Sequence, residues 1–75
     1  MDAFTRLQSL VLAQGIVTRQ ALLPTTDLVQ DLHYHPSDVA ELIRMVESVG
    51  NVTIPEAEYD CLTRLEQFIP YLLPE

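Results

Sequence analysis

The chain has 75 residues, of which 48% are hydrophobic, and its eleven acidic residues against four arginines give a formal net charge of −7. This length predicts one domain over residues 1–75 with no room for an enclosed active site, so we expect a protein that is not an enzyme. The negative charge repels phosphate backbones and anionic lipids, which argues against nucleic acid and favours a basic protein surface as partner. A single cysteine, Cys61, suits the reducing cytoplasm, and no apolar run is long enough to span a membrane.

A first helix is predicted to begin after Asp2, which can cap it, and to end near Gly15, which suits a left-handed exit. Its apolar side chains recur at helical spacing: Phe4, Leu7, Leu10 and Val11. A connection over residues 18–35 follows, and a structureless loop of that length is unusual in a compact domain. We therefore expect a short helical turn near Asp27 and several leucines that fix the connection to the core. These are Leu22, Leu23, Leu28 and Leu32.

A central helix is predicted to begin at Pro36, because proline suits the first helical position. Asp38 then places negative charge in the first turn, where the helix dipole favours it. Gly50-Asn51 is typical of a left-handed helix end. The apolar residues at helical spacing are expected to face the core: Val39, Leu42, Ile43, Val46 and Val49.

The C-terminal third is predicted to hold two further helices. An extended link over residues 51–54 leads to a short helix after Pro55. A last helix is expected to start at Thr63, because Thr63 and Glu66 have the spacing of a capping box. Its buried stripe is predicted at Leu62, Leu65, Ile69 and Leu72.

Pro70 lies inside the last helical pattern and should disturb it. Proline removes one backbone hydrogen bond and clashes with the carbonyl four residues back, so we expect a kink or an end near Ile69. Three residues off the main stripes are predicted to fill the core, with an inter-helix pocket or a dimer face as alternatives: Leu12, Phe68 and Leu73. The fold class is therefore all-α, a bundle of three longer helices plus one short helix, with a long loop between helices 1 and 2.

A series of residues at fixed spacing extends over nearly the whole chain: Asp31-Leu32, Asp38, Glu41-Leu42, Glu47 and Ile54-Pro55, with apolar positions at Leu7, Leu10, Val11, Leu28, Leu62, Leu65 and Ile69. Together with the acidity and the order of helices, this series resembles the acyl carrier protein family. In that family the central helix starts with an Asp-Ser-Leu triplet. Its serine carries 4′-phosphopantetheine, whose thiol holds an acyl or aminoacyl group. The resemblance implies an acyl-carrier-like bundle and a role in fatty acid or polyketide biosynthesis.

The chain departs from the family at this attachment site. Its triplet is His35-Pro36-Ser37, so Pro36, which has no hydroxyl, stands where the family has its serine. His33 replaces the glycine that usually follows the Asp-Leu pair. Ser37 follows the family's serine position by one residue, whether the spacing is counted from Asp31-Leu32 or from Glu41-Leu42. One residue corresponds to a rotation of about 100° around the helix. We therefore predict no cofactor, with a functional carrier bearing 4′-phosphopantetheine on Ser37 as the alternative.

Six carboxylates form an acidic face on the central helix and the short helix after it: Asp38, Glu41, Glu47, Glu56, Glu58 and Asp60. As the resemblance implies, we predict that this face docks a monomeric chain onto a basic partner protein, where charge complementarity mostly sets association rate and specificity. The predicted docking residues are Asp38, Glu41, Arg44, Glu47, Glu56 and Asp60. Arg44 can pair with Glu41 or Glu47 at helical spacing. The alternatives are a solvated face without a partner and a purely structural or assembly subunit.

Two histidines and the cysteine are weaker candidates for chemistry. His33 and His35 with Asp31 or Cys61 suggest a zinc site, but two histidines fall two ligands short of a closed one, so no metal is predicted. A pH-sensitive loop is the alternative, because histidine titrates near neutral pH. Cys61 is predicted to be a small buried or half-buried side chain.

Overall fold

A computed structural model describes residues 2–16 and 22–73, and these residues confirm the all-α fold. The α-helices α1 (Ala3–Ala13) and α2 (Pro36–Gly50) are followed by two 3₁₀ helices, the third helix (Glu56–Cys61) and the last helix (Leu65–Leu72). The last helix packs against both α1 and α2. Residues 18–21 of the predicted connection lie outside the described part. None of the helices in residues 2–16 and 22–73 is long and apolar enough to cross a membrane.

Helix α1 begins and ends where the sequence predicted. The Asp2 carboxylate caps it by accepting the Thr5 backbone N–H at 2.7 Å, and Gly15 follows its end with a φ of 77°. Of its apolar residues, Leu7 and Val11 are fully buried. The prediction that Leu12 fills the core is wrong, because Leu12 lies on the opposite side of α1 and is 45% exposed.

Helix α2 begins at Pro36, as predicted, and ends with Asn51 in the left-handed conformation at a φ of 53°. Its buried residues are Leu42, Ile43 and Val46. The prediction that Val49 faces the core is wrong, because its side chain is 41% exposed. The residue of α2 that the last helix approaches is the neighbouring Gly50. A side chain at Gly50 would begin only 2.3 Å from the Tyr71 carbonyl oxygen, so its absence permits this close approach.

The connection before α2 is held to the core by three of the four predicted leucines: Leu22, Leu28 and Leu32. Leu23 is exposed, so that prediction is wrong. A turn over residues 27–32 forms where expected, because the Asp27 carboxylate accepts the backbone N–H groups of Val29 and Gln30.

The same connection is hydrogen-bonded to the start of the last helix. Leu65 N–H donates to the Thr26 carbonyl, and Glu66 N–H donates to the Pro24 carbonyl at 2.8 Å. The Leu28 N–H donates in turn to the Thr63 carbonyl. The first N–H groups of a helix have no partner within it, and here the connection supplies their acceptors.

The last helix differs from the prediction at its start and in its winding. It begins at Leu65, and Gln67 rather than Glu66 caps it, since the Gln67 side-chain oxygen accepts the N–H groups of both Thr63 and Arg64 at 2.8 Å. The predicted end near Ile69 is wrong, because the helix continues through Pro70 to Leu72. It does so as a 3₁₀ helix. Pro70 has no N–H to donate in either kind of helix, so it removes one hydrogen bond without ending this one.

Phe68 is fully buried at the centre of the core, which confirms its predicted role as core filling. Leu73 is exposed, so the same prediction is wrong for that residue. The core is one cluster of side chains from both α-helices, the connection and the last helix. It leaves the start of α2 and the third helix at the surface.

Candidate docking site at the start of the central helix

Three consecutive exposed residues define the start of α2. His35 precedes the helix in an extended conformation, Pro36 is its first residue, and Ser37 is its second. The Asp38 carboxylate accepts the His35 backbone N–H at 3.0 Å and so caps the first turn. Pro36 offers no hydroxyl at this helix start, and the Ser37 hydroxyl lies one step further round.

His33 has an unusual backbone for its residue type. Its φ of 58° lies in the left-handed region, where a Cβ atom is strained and glycine is not. Histidine is among the residues that tolerate this region better than most. The backbone just before α2 therefore has a shape that glycine would adopt without strain.

Tyr34 joins the end of α1 to the first turns of α2. Its side chain is buried, and its hydroxyl donates to the Gln14 side-chain oxygen at 2.5 Å. The Gln14 amide nitrogen donates to the Asp38 carbonyl at 3.1 Å and to a Glu41 carboxylate oxygen at 3.2 Å. Burial raises the pKa of Tyr34 to about 12, and the negative charges of Asp38 and Glu41 act in the same direction.

Gln14 and Tyr34 belong to this site although the sequence does not indicate it. The available signal was that a buried tyrosine needs a partner for its hydroxyl. Nothing in the sequence shows that the partner lies twenty residues upstream.

The acidic face contains carboxylates that already serve the fold. Glu47 accepts the Ile54 backbone N–H at 2.7 Å and thereby holds the link after α2. Glu58 accepts the Tyr71 hydroxyl, and this hydrogen bond raises the pKa of Tyr71. With Asp38, three of the six carboxylates are therefore hydrogen-bonded to groups that shape the local structure.

The other carboxylates of the acidic face are exposed. One Glu41 carboxylate oxygen accepts a hydrogen bond from the Gln14 amide, whereas the side chains of Glu56 and Asp60 make no hydrogen bond to any residue in the ranges 2–16 and 22–73. Arg44 is exposed between Glu41 and Glu47, and neither carboxylate forms an ion pair with it in the described part of the chain. Glu41, Glu56 and Asp60 are thus the carboxylates of this face that hold no backbone group and remain exposed.

A pocket of about 330 Å³ opens beside the start of α2. It lies between α2, the third helix and the turn over residues 27–32, and is lined by Val29, Pro36, Val39, Ala40, Tyr59, Asp60, Leu62 and Thr63. Its walls are mostly apolar, and Asp60 is the one carboxylate among these lining residues. The alternative prediction that Leu12, Phe68 and Leu73 line an inter-helix pocket is wrong for this pocket.

The remaining candidates are not among the residues that line the pocket. His33 and His35 are exposed, and Cys61 is also exposed, which corrects the prediction of a buried or half-buried thiol. Cys61 is in the short third helix, which has no fully buried residue. Within residues 2–16 and 22–73 no group of three or more potential metal ligands forms.

The described residues define a small all-helical protein with an acidic face and an apolar pocket at the start of its central helix. No family model matches the chain. It is 25% identical over 72 residues to a protein named acyl carrier protein from Helicobacter hepaticus, a match that covers 96% of this chain and 95% of that protein. The chain is therefore similar to an acyl carrier protein over nearly its whole length, in agreement with the resemblance stated from its sequence.

Proposed function

We propose that this chain is an acyl-carrier-protein-like protein that lacks the phosphopantetheine attachment point and docks through its acidic face onto a basic partner protein. The observation that carries the proposal is Pro36, an imino acid at the first position of the central helix. The similarity of the chain to an acyl carrier protein supports a carrier-like scaffold and suggests a biosynthetic enzyme as partner. We also propose that the protein is a cytoplasmic monomer.

The backbone before α2 supports the register in which Pro36 takes the place of the serine. In the resemblance His33 stands where the family has glycine, and His33 is a residue with a φ of 58°. Glycine is favoured at such a position because it has no Cβ. A one-residue shift that made Ser37 the attachment site would put glycine at Tyr34, which does not have a positive φ.

4′-Phosphopantetheine does not fit the residue at this position, because its attachment needs a side-chain hydroxyl and Pro36 has none. The exposed Ser37 hydroxyl is the neighbouring candidate, and it carries the alternative that the chain is a working acyl or aminoacyl carrier. A transferase would have to accept a serine about 100° further round the helix.

Co-expression with a phosphopantetheinyl transferase, followed by intact-protein mass spectrometry, tests the missing attachment point. We expect the wild-type chain to keep its unmodified mass. A variant that restores the family triplet, His35→Asp with Pro36→Ser and Ser37→Leu, should gain one arm, which shows that the scaffold is still recognised. Modification of the wild-type chain that disappears in Ser37→Ala would contradict the proposal and support the carrier alternative.

Charge reversal tests docking, and the hydrogen bonds decide which residues to change. Glu47 is unsuitable, because its carboxylate holds the Ile54 N–H and its loss would disturb the fold. We choose Glu41→Lys with Glu56→Lys on the acidic face and compare it with Glu66→Lys, another exposed glutamate outside that face.

Affinity capture with these variants should show loss of the bound partner for the acidic-face pair and retention for the Glu66→Lys control. Binding by the wild-type chain should also weaken as salt is raised, because exposed charge pairs are screened. Equal capture by all three proteins would contradict docking through the acidic face and favour the structural or assembly alternative.

A further inference from the structure

We infer that the pocket beside Pro36 receives an arginine side chain of the partner protein, with Asp60 as its counter-ion. The inference rests on the proposed docking function and names the chemistry of the contact. It moves the centre of docking from the exposed face of α2 to the cleft between α2 and the third helix.

The walls of the pocket suit the aliphatic part of a long side chain. Val29, Val39, Ala40 and Leu62 line it, and Pro36 adds an apolar ring at the helix start. Its volume of about 330 Å³ is at the lower end of the range of small-molecule sites. An arginine buries its methylene groups against such surfaces while its charged end reaches a polar group.

Two of the lining residues favour a cation at the end of that side chain. Asp60 is exposed, and its carboxylate has no hydrogen-bond partner in the described part of the chain, so it is available to a ligand. Thr63, another polar lining residue, already donates its hydroxyl hydrogen to Gln67, so its oxygen can only accept a further hydrogen bond, as a cation requires. A guanidinium can bind a carboxylate through two parallel hydrogen bonds.

Tyr59 favours arginine over lysine. It lines the pocket and is partly buried against the core, so its ring is held in place. A planar guanidinium can stack on an aromatic ring and meet a carboxylate at the same time, whereas an ammonium is a strongly hydrated point charge.

The charge of the molecule disfavours an anionic occupant. The chain carries a net charge of −7, and Glu56 adds to Asp60 on the third helix. A free carboxylate or a phosphate entering the pocket would be repelled, while a cationic group would be attracted. A side chain from a basic protein satisfies both the apolar walls and this field.

Titration of the ¹⁵N-labelled full chain, followed by amide chemical shifts, tests the inference. The probes are the tripeptide acetyl-glycyl-arginyl-glycinamide and its lysyl and citrullyl counterparts. We expect saturable shifts at Ala40, Tyr59 and Leu62 with the arginyl peptide, and binding at least about threefold weaker for lysyl and citrullyl, since exposed ion pairs and cation–π contacts are modest.

Two variants and one control locate the binding. Asp60→Asn should weaken binding of the arginyl peptide at least about threefold, whereas Glu66→Gln, which removes the same charge outside both the pocket and the acidic face, should change the affinity by less than about 1.5-fold. Ala40→Leu fills the pocket without changing charge and keeps a good helix former, so binding should be lost.

Equal weakening by Asp60→Asn and Glu66→Gln would overturn the contact with Asp60 in the pocket, because net charge alone would then explain the binding. The affinity-capture test of the acidic face would be unaffected. Citrullyl binding as tight as arginyl binding would assign the pocket to a neutral group and overturn the arginine. No saturable shift with any peptide would also overturn the inference. These outcomes are independent of the mass-spectrometric test of the attachment point.

Discussion

His33 and His35 are the same residue type in opposite backbone conformations, two positions apart on the same exposed segment. His33 has a φ of 58° and His35 a φ of −83°. A left-handed conformation costs an ordinary L-residue about 1–2 kcal/mol, and glycine avoids this cost while losing more chain entropy on folding. We therefore predict that His33→Gly raises the free energy of unfolding by about 0.5 kcal/mol.

His35→Gly is the matched control, measured in the same urea titration. It relieves no strain, so we expect a loss of a few tenths of a kcal/mol, about the usual difference for glycine at a helix N-cap. Equal losses in both variants would show that His33 is not strained.

We predict that the stability contributed by Tyr34 depends on pH in the alkaline range. Its pKa is raised from 10.0 to about 12 in the folded chain, so the unfolded chain releases the phenolic proton first. The stability contributed by the neutral phenol is therefore complete below about pH 10 and is lost as the pH rises towards 12. Tyr34→Phe should be less stable than wild type at pH 7, by about 1 kcal/mol for the hydrogen bond to Gln14.

The difference between wild type and Tyr34→Phe should shrink above about pH 10 when urea unfolding is followed from pH 7 to 11. Tyr71 also has a raised pKa, but it is present in both proteins and cancels in the comparison. A difference that stays constant over this pH range would contradict the assignment to Tyr34.

At the scale of elements, the start of the last helix depends on one side chain. Gln67 accepts two backbone N–H groups, while the side chain of its neighbour Glu66 is exposed. We predict that Gln67→Ala lowers the free energy of unfolding by about 1 kcal/mol, as for loss of a helix cap. Glu66→Ala should be nearly neutral in the same denaturation assay, and a larger loss for Glu66→Ala would instead restore the capping box predicted from the sequence.

Gly50 joins two elements through its missing side chain. In a helix, alanine is usually about 1 kcal/mol better than glycine. Here the new Cβ would lie 2.3 Å from the Tyr71 carbonyl oxygen, so the backbones of α2 and the last helix would have to separate. We predict that Gly50→Ala destabilises the chain by about 1–3 kcal/mol, the usual range for overpacking, in thermal unfolding.

Ser48→Ala provides the comparison for Gly50→Ala, because Ser48 is exposed in the same helix turn. It should be neutral or slightly stabilising, as expected from helix propensity alone. A Gly50→Ala variant that gains stability like Ser48→Ala would show that the close approach to Tyr71 is not real.

The sequence predicted those elements whose signals are local. Asp2, Pro36 and Asn51 mark helix ends through their own backbone and side-chain preferences, and they stand where expected. Signals that depend on tertiary partners were misread. Thr63 and Glu66 have capping-box spacing, but the connection takes up the Glu66 N–H and moves the helix start to Leu65.

In the candidate site, too, the sequence predicts the local features but not those that depend on tertiary partners. The positions of Pro36 and of the acidic residues on α2 follow from helical spacing. The sequence does not show that Glu47 holds Ile54 or that Glu58 holds Tyr71, because those partners are seven and thirteen residues away and are brought close only by the fold. The pocket could not be predicted for the same reason, because only the fold brings Val29 close to Tyr59 and Asp60.

At the scale of the whole molecule, net charge and size make stability depend on salt. At about 0.01 M salt the Debye length is roughly 30 Å, which is comparable to the longest dimension of the chain, 29 Å. The seven excess negative charges therefore repel one another across the whole molecule. We predict that the thermal midpoint rises by several degrees between about 0.01 and 0.15 M sodium chloride, where the Debye length falls to about 8 Å.

Potassium chloride should give the same rise in calorimetry, because screening depends on ionic strength and not on the cation. A midpoint that stays constant or falls with salt would show that attraction between charges outweighs their repulsion in the folded chain.

The hydrogen bonds from Leu65 and Glu66 to the carbonyls of Thr26 and Pro24 have a consequence for how the chain folds. The last helix takes acceptors for its first amides from the connection, and the Thr26 and Pro24 carbonyls of the connection take their donors from the last helix. We therefore expect two segments some forty residues apart in the chain to become structured together. An interruption of the connection should also destabilise the start of the last helix, although no residue of that helix had been changed.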